Sequence, residues 1–271
     1  MSRSLLSERL TKEVLRQELT VEGRTYIELA EKYGCCSASV KRIAATYGIS
    51  RKTCLIDEDF FLTESSDLFY ILGLLATDGY VSERSRVGIE LIDHDVISWL
   101  AETVHYTGTI FSRTRNEGQP TYTVRFTSSI VAAVLARYGV TERKSRTLSI
   151  SDIPERFVAD FIRGVFEGDG CIHFNKRPGR KNSYSYAFEI CSASSIFISQ
   201  VSAMLNKTFG VKPSILITNR IGCPLYKISV RNIRDISRIS EILYPIGAVG
   251  MRRKMLKMRE VSTYYSTREA A

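Results

Sequence analysis

Two stretches of similar form constrain this chain of 271 residues more than any other feature. The first reads YILGLLATDGYVSE and starts at Tyr70, and the second reads FIRGVFEGDGCIHF and starts at Phe161. Each is an apolar, helix-like segment with spaced small residues that ends in an acid followed by glycine. A helix C-terminus carries partial negative charge, so the acids Asp78 and Asp169 lie where a carboxylate is locally unfavourable. Because the same unfavourable placement occurs twice, we expect the two acids to have a function.

Small residues recur four positions apart in both motifs. Gly73 and Thr77 in the first, and Gly164 and Gly168 in the second, lie on one face of their helix. A face of small residues lets two helix backbones approach closely. We therefore expect the two motif helices to pack on each other and to bring their terminal acids together.

Two carboxylates held together at two negative helix ends repel each other unless a cation compensates. Oxygen ligands that leave positions open for water and phosphate suit Mg²⁺. A divalent ion between carboxylates can activate water and stabilise a leaving oxygen, which is the chemistry of phosphodiester hydrolysis. Asp78 and Asp169 are therefore predicted to be catalytic and to bind divalent metal, with Mg²⁺ as the cofactor.

The chain after each motif follows the same order of elements. A first repeat at 67–150 and a second repeat at 151–271 are each predicted to be αββαββα units of an α+β fold, preceded by a partly packed linker at 57–66. Three pairs of residues anchor the comparison: Gly73 with Gly164, Glu90 with Glu189, and Tyr122 with Tyr226. Strands are expected near 87–91, 108–114, 122–127, 186–190, 214–218 and 226–231, and helices over 93–104, from 128, over 194–209 and from 232.

A smaller helical domain is predicted at 1–56. Ile27, Leu29 and Ala30 begin an apolar face, and Gly34 then breaks the helix. Ser37 is expected to be the N-cap of a second helix.

Positions 30, 34, 40 and 43 have the spacing of a helix-turn-helix, with Val40 and Ile43 facing inward. Short polar and basic residues of the second helix would point outward, where they suit base edges and phosphates; they are Ser37, Ala38, Ser39, Lys41, Arg42 and Thr46. Ser37, Ser39, Lys41 and Arg42 are predicted to bind DNA. An ordinary helical hairpin is the alternative.

The balance of charge favours a polyanionic partner. Lys and Arg number 38 against 29 Asp and Glu, a formal net charge of +9; a merely basic soluble protein is the alternative. The six cysteines include no C-x-x-C pair, which argues against zinc and against a disulfide framework. The chain also shows neither a signal core nor a bilayer-length apolar run, so an intracellular, cytoplasmic and nucleoid-associated protein without a membrane partner is expected.

The paired motifs resemble the LAGLIDADG signatures of homing endonucleases in their single-chain form, over about residues 67–260. The resemblance implies a monomer whose two pseudo-symmetric halves form a saddle and offer curved antiparallel sheets to the major groove of double-stranded DNA. It also implies metal-dependent cleavage of both strands that leaves short 3′ overhangs. Ala76 replaces the first acid of the family motif, whereas Glu167 keeps one. Carried over by position, the metal ligands are Asp78 and Asp169, with the backbone carbonyls of Thr77 and Gly168 close by.

The family also places basic residues near the cleaved phosphates. The segment GVTERKSRTL puts Lys144 in this role, and GAVGMRRKMLK puts Lys254 there, with Arg252 and Arg253 competing for the register. A lysine at this position can position water and neutralise charge on the pentavalent phosphate. A solvated surface charge is the alternative for each lysine.

Alternating strand patterns indicate one apolar and one polar, basic sheet face. Arg and Asn can read purine edges, and Glu can accept a hydrogen bond from cytosine. The polar face is predicted to contact DNA through Tyr80, Ser82, Arg84, Arg86, Glu90, Arg113, Arg115, Thr123 and Arg125 in the first repeat, and through His173, Asn175, Arg177, Arg180, Lys181, Asn182, Glu189, Asn219, Arg220, Lys227, Ser229 and Arg231 in the second. A solvated sheet face is the alternative, and it would need no basic bias. His173 is expected to contact DNA rather than to act as a general base, since Ser82 takes its place in the first repeat.

These features predict a site-specific, metal-dependent double-strand DNA endonuclease that acts as a monomer. Two alternatives on the same scaffold stay open: a DNA-binding transcription regulator that has lost catalysis, and a maturase that binds intron RNA. The presence of both Asp78 and Asp169 argues against the regulator.

Overall fold

The computed structural model describes residues 3–49, 55–114, 118–179, 184–220 and 223–269. Four of the predicted DNA contacts lie outside these residues: Arg115, Arg180, Lys181 and Asn182. By its internal contacts the chain divides into an N-terminal body, Met1–Asp57 with Ala101–Thr109, and a large body, Glu58–Leu100 with Ile110–Ala271. Within the described residues, no helix is both long enough and apolar enough to cross a membrane.

The N-terminal body is helical. Its elements are α1 (Arg3–Arg9), α2 (Lys12–Arg16), a π-helical turn (Gln17–Val21), α3 (Tyr26–Tyr33) and α4 (Ser37–Thr46). Its core is formed by Leu6, Leu10, Leu15, Leu19, Leu29, Ala30, Val40 and Ala44. Ile27 is 63% exposed, so the apolar face predicted to begin there begins instead at Leu29, because residue 27 lies on the solvent side of α3.

The turn between α3 and α4 forms at Gly34, which adopts a left-handed φ of 64°. The amide of Cys35 donates to the carbonyl of Ala30 at 2.9 Å and closes the end of α3. The prediction that Ser37 caps the next helix was wrong. Cys36 has the extended N-cap conformation, and Ser37 is already the first residue of α4.

The first repeat of the large body is preceded by a short helix, α5 (Glu58–Leu62), inside the segment predicted as a linker. Phe61 of α5 is 2% exposed and packs near the ring of Phe126. The repeat itself comprises α6 (Ser66–Thr77), β1 (Gly79–Val81), β2 (Arg86–Leu91), α7 (His94–Thr103), β3 (Phe111–Arg113), β4 (Thr121–Thr127) and α8 (Ser129–Arg137).

The second repeat has the same order of elements. It comprises α9 (Val158–Asp169), β5 (Gly170–Lys176), β6 (Tyr184–Ser192), α10 (Ser195–Phe209), β7 (Ser214–Arg220), β8 (Cys223–Val230) and α11 (Ile233–Leu243). A last helix, α12 (Arg252–Glu269), follows it and was not predicted. Polar residues begin three of these helices as predicted, because the side chains of Ser128, Ser194 and Asn232 each accept a backbone amide of the first turn.

Each repeat builds an antiparallel sheet of four strands, with the matching orders β1-β2-β4-β3 and β5-β6-β8-β7. The predicted α+β class and the αββαββα order are confirmed. In both sheets the glycine after the motif acid pairs with an isoleucine, Gly79 with Ile89 and Gly170 with Ile190.

This register tests the residue pairs that were predicted to correspond. Ile89 and Ile190 are equivalent, so Glu90 corresponds to Cys191 rather than to Glu189. The predicted match of the two glutamates was therefore wrong by two residues, although both lie on the polar face. The match of Tyr122 with Tyr226 is correct, because they pair with residues 91 and 192, each two positions after the equivalent isoleucines.

Candidate active site

The two motif helices α6 and α9 cross at a pair of glycines. A Cβ atom on Gly73 would lie 2.3 Å from the carbonyl oxygen of Phe161 and 2.9 Å from the Cα of Gly164. A Cβ atom on Gly164 would lie 2.2 Å from the carbonyl oxygen of Tyr70. The helices are therefore in backbone contact, as the spacing of small residues predicted.

The crossing continues to the C-terminal ends of both helices. A Cβ atom on Gly168 would lie 1.9 Å from the Oγ1 of Thr77 and 3.3 Å from the Oδ2 of Asp78. Asp78 is the C-cap of α6, and Asp169 is the last residue of α9. The two acids are thus brought to the same end of the crossing, where both side chains are accessible to solvent.

Burial and neighbouring charges shift the pKa values of both acids. Loss of hydration and the negative charge of Asp78 raise the pKa of Asp169 to about 6, and the charges of Lys254 and Lys144 oppose this rise. Loss of hydration also raises the pKa of Asp78, again against the two lysines. Near neutral pH the site therefore holds negative charge that a cation would stabilise.

Lys144 lies on a 3-10 turn, Lys144–Arg146, after the first repeat's last helix. It is 7% exposed, and its Nζ donates to the carbonyl oxygen of Gly79, the residue after the motif acid Asp78. Burial lowers the pKa of Lys144, and the charges of the two acids oppose that shift. The side chain is therefore not a solvated surface charge.

Lys254 reaches the same place in the second repeat from helix α12. It is 8% exposed, and its Nζ lies 2.7 Å from the carbonyl oxygen of Gly170, the residue after Asp169. It also contacts the carbonyl oxygens of Phe166, Glu167 and Gly168 at 2.9, 2.5 and 3.3 Å. The ammonium group thus neutralises the negative end of α9, and burial together with Arg253 lowers its pKa to about 8.

The three neighbouring basic residues of α12 are distinguished by what they contact. Arg253 makes a bidentate ion pair with Asp93, with N–O distances of 3.0 to 3.1 Å. Arg252 is exposed. Lys254 alone of these three reaches a motif glycine carbonyl, as Lys144 does in the first repeat.

The acid pair fits a hard divalent cation in the chemistry of its donors. Asp78 and Asp169 offer carboxylate oxygens. The pKa of Asp169 is raised first by loss of hydration and then by the charge of Asp78, and a cation would relieve this second effect. Within the described residues, no cluster of three or more His, Cys, Asp or Glu side chains could hold a metal. Any ion here would therefore need water or phosphate oxygens to complete its coordination. The carbonyl of Gly168 is already an acceptor for Lys254.

The polar face of the first sheet carries several of the predicted contacts. Arg125 is exposed, and its guanidinium carbon lies 4.4 Å from the ring centroid of Phe111, which is 46% exposed. Glu90 accepts from Arg113 at 3.0 Å. Ser82, Arg84, Arg86, Thr123 and Tyr80 also lie on this face or in the turn that leads from β1 to β2. Phe111 was missed because its strand is short, but its pairing with Thr123 places it on the polar face.

The polar face of the second sheet has a more enclosed centre. Glu189 is 8% exposed and contacts Lys227 at 3.0 Å, Ser229 at 3.3 Å and the Nε2 of His173 at 3.4 Å. Burial alone would raise the pKa of Glu189, but the hydrogen bond and charge of Lys227 and the charge of His173 outweigh it, so the pKa is lowered. Because both carboxylate oxygens are engaged, Glu189 is placed to orient its neighbours.

Two predicted residues on strand β7 lie on opposite faces. Asn219 shares the side of Ile217, which pairs with the core-facing Tyr226. Lys227 pairs with Leu216, on the other side. The prediction that Asn219 shares the face of Lys227 was therefore wrong, because strand residues alternate between faces. The backbone of Arg220 lies on the Lys227 side, and Asn175, Arg177 and Arg231 are exposed.

The comparison with a family model agrees with the resemblance over part of the second repeat. Residues 156–244 match the family model described as a LAGLIDADG-like domain. The LAGLIDADG meganuclease I-AabMI bound to uncleaved DNA is 12% identical, with a TM-score of 0.49 over 74% of this chain and 91% of that one. The I-LtrWI LAGLIDADG homing endonuclease bound to target DNA is 11% identical, with a TM-score of 0.49 over 79% and 92%.

A further structural match is to full-length DUF199/WhiA from Thermatoga maritima. It is 15% identical, with a TM-score of 0.49 over 78% of this chain and 65% of that one. No curated protein sequence matches the chain significantly.

Proposed function

With a LAGLIDADG-like domain at residues 156–244 as the premise, we propose that the chain is a site-specific, metal-dependent double-strand DNA endonuclease. The observation that carries the proposal is the acid pair at the crossing of α6 and α9. Asp78 and Asp169 end the two helices side by side, and each repeat sends one buried lysine to the glycine that follows its acid.

The proposed chemistry follows from this arrangement. Mg²⁺ held by Asp78 and Asp169 would supply Lewis acidity and neutralise charge on a phosphodiester. The carboxylates provide negative charge above pH 6, where Asp169 is ionised. Lys144 and Lys254 place two cations beside the acids, where they can offset charge on a pentavalent phosphate and orient water. Two pseudo-symmetric centres suit the two strands of a duplex.

DNA recognition is assigned to the polar, basic faces of the two sheets. Arg125, Arg86 and Arg113 supply positive charge on the first, and Lys227 supplies it on the second, where His173 lies beside the same glutamate. Arginine can read guanine edges in the major groove, and lysine can pair with phosphates. Because both repeats lie on one chain, we propose that the protein binds its target as a monomer.

Substitution of the acids tests the assignment. Asp78→Asn and Asp169→Asn should each lower cleavage by at least about 100-fold, since even the residues that support metal ligands cost 10–100-fold when lost. DNA affinity should stay within a few-fold, because the amide keeps the volume. Asp67→Asn, at the exposed first turn of the same helix α6, is the matched control. Cleavage is read on a library of random duplexes with Mg²⁺.

The outcome separates the alternatives. Specific DNA binding without cleavage by the wild type would favour a regulator, and selective retention of structured RNA would favour a maturase. Cleavage by both Asn variants within a few-fold of wild type would refute the metal-site assignment.

The N-terminal body is proposed to bind DNA through α4. Lys41 and Arg42 are exposed, while Val40 and Ala44 on the opposite side are fully buried. Replacing Lys41 and Arg42 together by Ala should lower the salt slope of binding by about two units, one for each phosphate contact.

The control for this test is Lys12→Ala, a basic residue of α2 that is also exposed. The cut positions should not move, because every proposed catalytic group lies in the large body. An unchanged salt slope in the double variant would mean that α4 does not contact DNA.

A further inference from the structure

The first acid of the second motif is fully buried away from the acid pair. Glu167 is 0% exposed, although it lies two residues before Asp169. Its Oε2 accepts from the hydroxyl of Tyr70 at 2.5 Å, and its Oε1 accepts from the hydroxyl of Tyr244 and the amide of Met251, both at 2.9 Å. These groups belong to α6, to the end of α11 and to the segment before α12. Glu167 thus holds three parts of the large body together.

We propose that Glu167 is a positioning residue that places Lys254 at the active site, an inference that rests on the endonuclease function proposed above. Lys254 lies ten positions after Tyr244, and Met251 lies between them. Both anchored groups of this segment bind the same carboxylate oxygen, and α12 begins at Arg252, directly after the anchored amide. The carboxylate therefore sets where α12 begins, and α12 sets where the Lys254 ammonium lies.

The packing around the carboxylate agrees with this role. A Cβ atom on Gly250 would lie 2.3 Å from the Oε1 of Glu167, so the segment passes too close to the carboxylate for a side chain at this position. Lys254 then returns to α9 and contacts the carbonyl oxygen of Glu167 itself at 2.5 Å. Glu167 is thus contacted by one continuous segment, 244–254, at both its side chain and its backbone carbonyl.

Within its described residues, the first repeat has no such buried glutamate. Ala76 occupies the position equivalent to Glu167 and offers no acceptor. Lys144 is instead placed by a local turn, in which the amides of Thr147 and Leu148 donate to its carbonyl oxygen at 2.9 and 2.7 Å. Glu167 should therefore act on one of the two proposed centres and leave the other unchanged.

Two variants separate positioning from direct catalysis. Glu167→Gln keeps a carbonyl oxygen for Tyr244 and Met251, and its amide can donate to Tyr70, so cleavage of both strands should stay within about three-fold of wild type. Glu167→Ala removes the carboxylate that accepts hydrogen bonds from Tyr70, Tyr244 and Met251. It should slow one strand by about 10–100-fold, the range for residues that orient catalytic groups, and nicked product should accumulate.

Lys254→Met and Lys144→Met identify the strands in a duplex labelled at both 5′ ends. The strand slowed by Glu167→Ala should be the one slowed by Lys254→Met, and not the one slowed by Lys144→Met. Tyr244→Phe removes only the hydrogen bond from the Tyr244 hydroxyl to Glu167. It should slow the same strand, but less than Glu167→Ala does, and it replaces Glu167→Ala in the test if that variant does not fold. Equal slowing of both strands, or loss of cleavage in Glu167→Gln comparable with that in Asp169→Asn, would overturn the proposal.

A second readout does not depend on cleavage. Hydrogen exchange of the peptide covering residues 245–258 should be faster in Glu167→Ala and Tyr244→Phe than in wild type, and unchanged in Glu167→Gln. If exchange is faster in Glu167→Ala and Tyr244→Phe but the wild type does not cleave DNA, the role of Glu167 in holding this segment is supported and the proposed endonuclease function is rejected. Unchanged exchange in both anchor variants would reject the anchor, whatever the protein cleaves.

Discussion

The two repeats arrive at the same arrangement of acid, glycine and lysine by different routes. In the first, Lys144 follows Arg143, a non-glycine residue with a left-handed φ of 53°, in a short turn. In the second, Lys254 comes from an 18-residue helix that a buried glutamate anchors. The comparison teaches that the position of the ammonium group beside its acid is the common constraint, whereas the structure that delivers it can differ.

The polar faces differ in a similar way. Glu90 and Arg113 form a pair whose side chains are 36% and 53% exposed. Glu189 lies beside Lys227, Ser229 and His173 and is almost fully buried. One sheet therefore leaves its acid partly exposed between Arg113 and Thr121, and the other buries its acid in a polar cluster.

The largest expected effect tests what the two repeats share. Gly73→Ala and Gly164→Ala should each cost about 3 kcal/mol or more of the free energy of unfolding, because each added methyl would meet backbone of the other helix at 2.2–2.3 Å. Gly179→Ala is the control, since its φ of 71° is left-handed but no atom of the described part of the chain lies within 4 Å of the added methyl. It should cost about 1 kcal/mol. Urea denaturation measures all three, and equal costs would mean that helix contact is not the constraint.

A smaller effect tests where the repeats differ. Glu189→Gln should cost about 1–3 kcal/mol at pH 7, because it weakens buried hydrogen bonds to a charged group. Glu90→Gln should change stability by less than about 0.5 kcal/mol, as is usual for an exposed ion pair.

The pH dependence gives the sign of this effect. The folded pKa of Glu189 is lowered, so its contribution is present above the unfolded pKa of about 4.3 and is lost as the pH falls. In urea denaturation, the free energies of unfolding of Glu189→Gln and Glu90→Gln should therefore differ less near pH 3 than at pH 7. A cost for Glu90→Gln equal to that for Glu189→Gln would erase the distinction between the faces.

The smallest expected effect concerns the acid pair. The folded pKa of Asp169 is raised to about 6, so its stabilising contribution is complete below the unfolded pKa of about 3.9 and is lost as the pH rises to about 6. Asp169→Asn should therefore raise Tm above pH 6, by about 2–4 °C if relief of the repulsion is worth about 1 kcal/mol after solvent screening. Thermal unfolding from pH 4 to pH 8 measures this.

Mg²⁺ provides the control for that experiment. It should raise the Tm of the wild type above pH 6 and have less effect on Asp169→Asn. A lower Tm for the variant at pH 7 would show that the two acids do not destabilise the fold.

Much of this architecture was predictable because its signals are local. Small residues four apart predicted the crossing at Gly73 and Gly164, and alternation in 121–127 predicted the two faces of the first sheet. The roles of Glu167 and Glu189 were not predictable, since their partners Tyr70, Lys227, Tyr244 and Met251 lie 38 to 97 positions away in sequence and only the tertiary fold brings them together. The face of Asn219 was predicted wrongly, because which residues of the edge strand β7 share a face with Lys227 depends on the register of β7 with β8.

The end of the helix crossing is not symmetric, and this limits which chains can pair there. Thr77 faces Gly168, and any larger residue at 168 would overlap the threonine hydroxyl, 1.9 Å from an added methyl. Two copies of the first repeat would oppose threonine to threonine and could not close in this geometry. At this contact the first repeat therefore cannot pair with a copy of itself, and it is accommodated by the second repeat because Gly168 leaves room for Thr77.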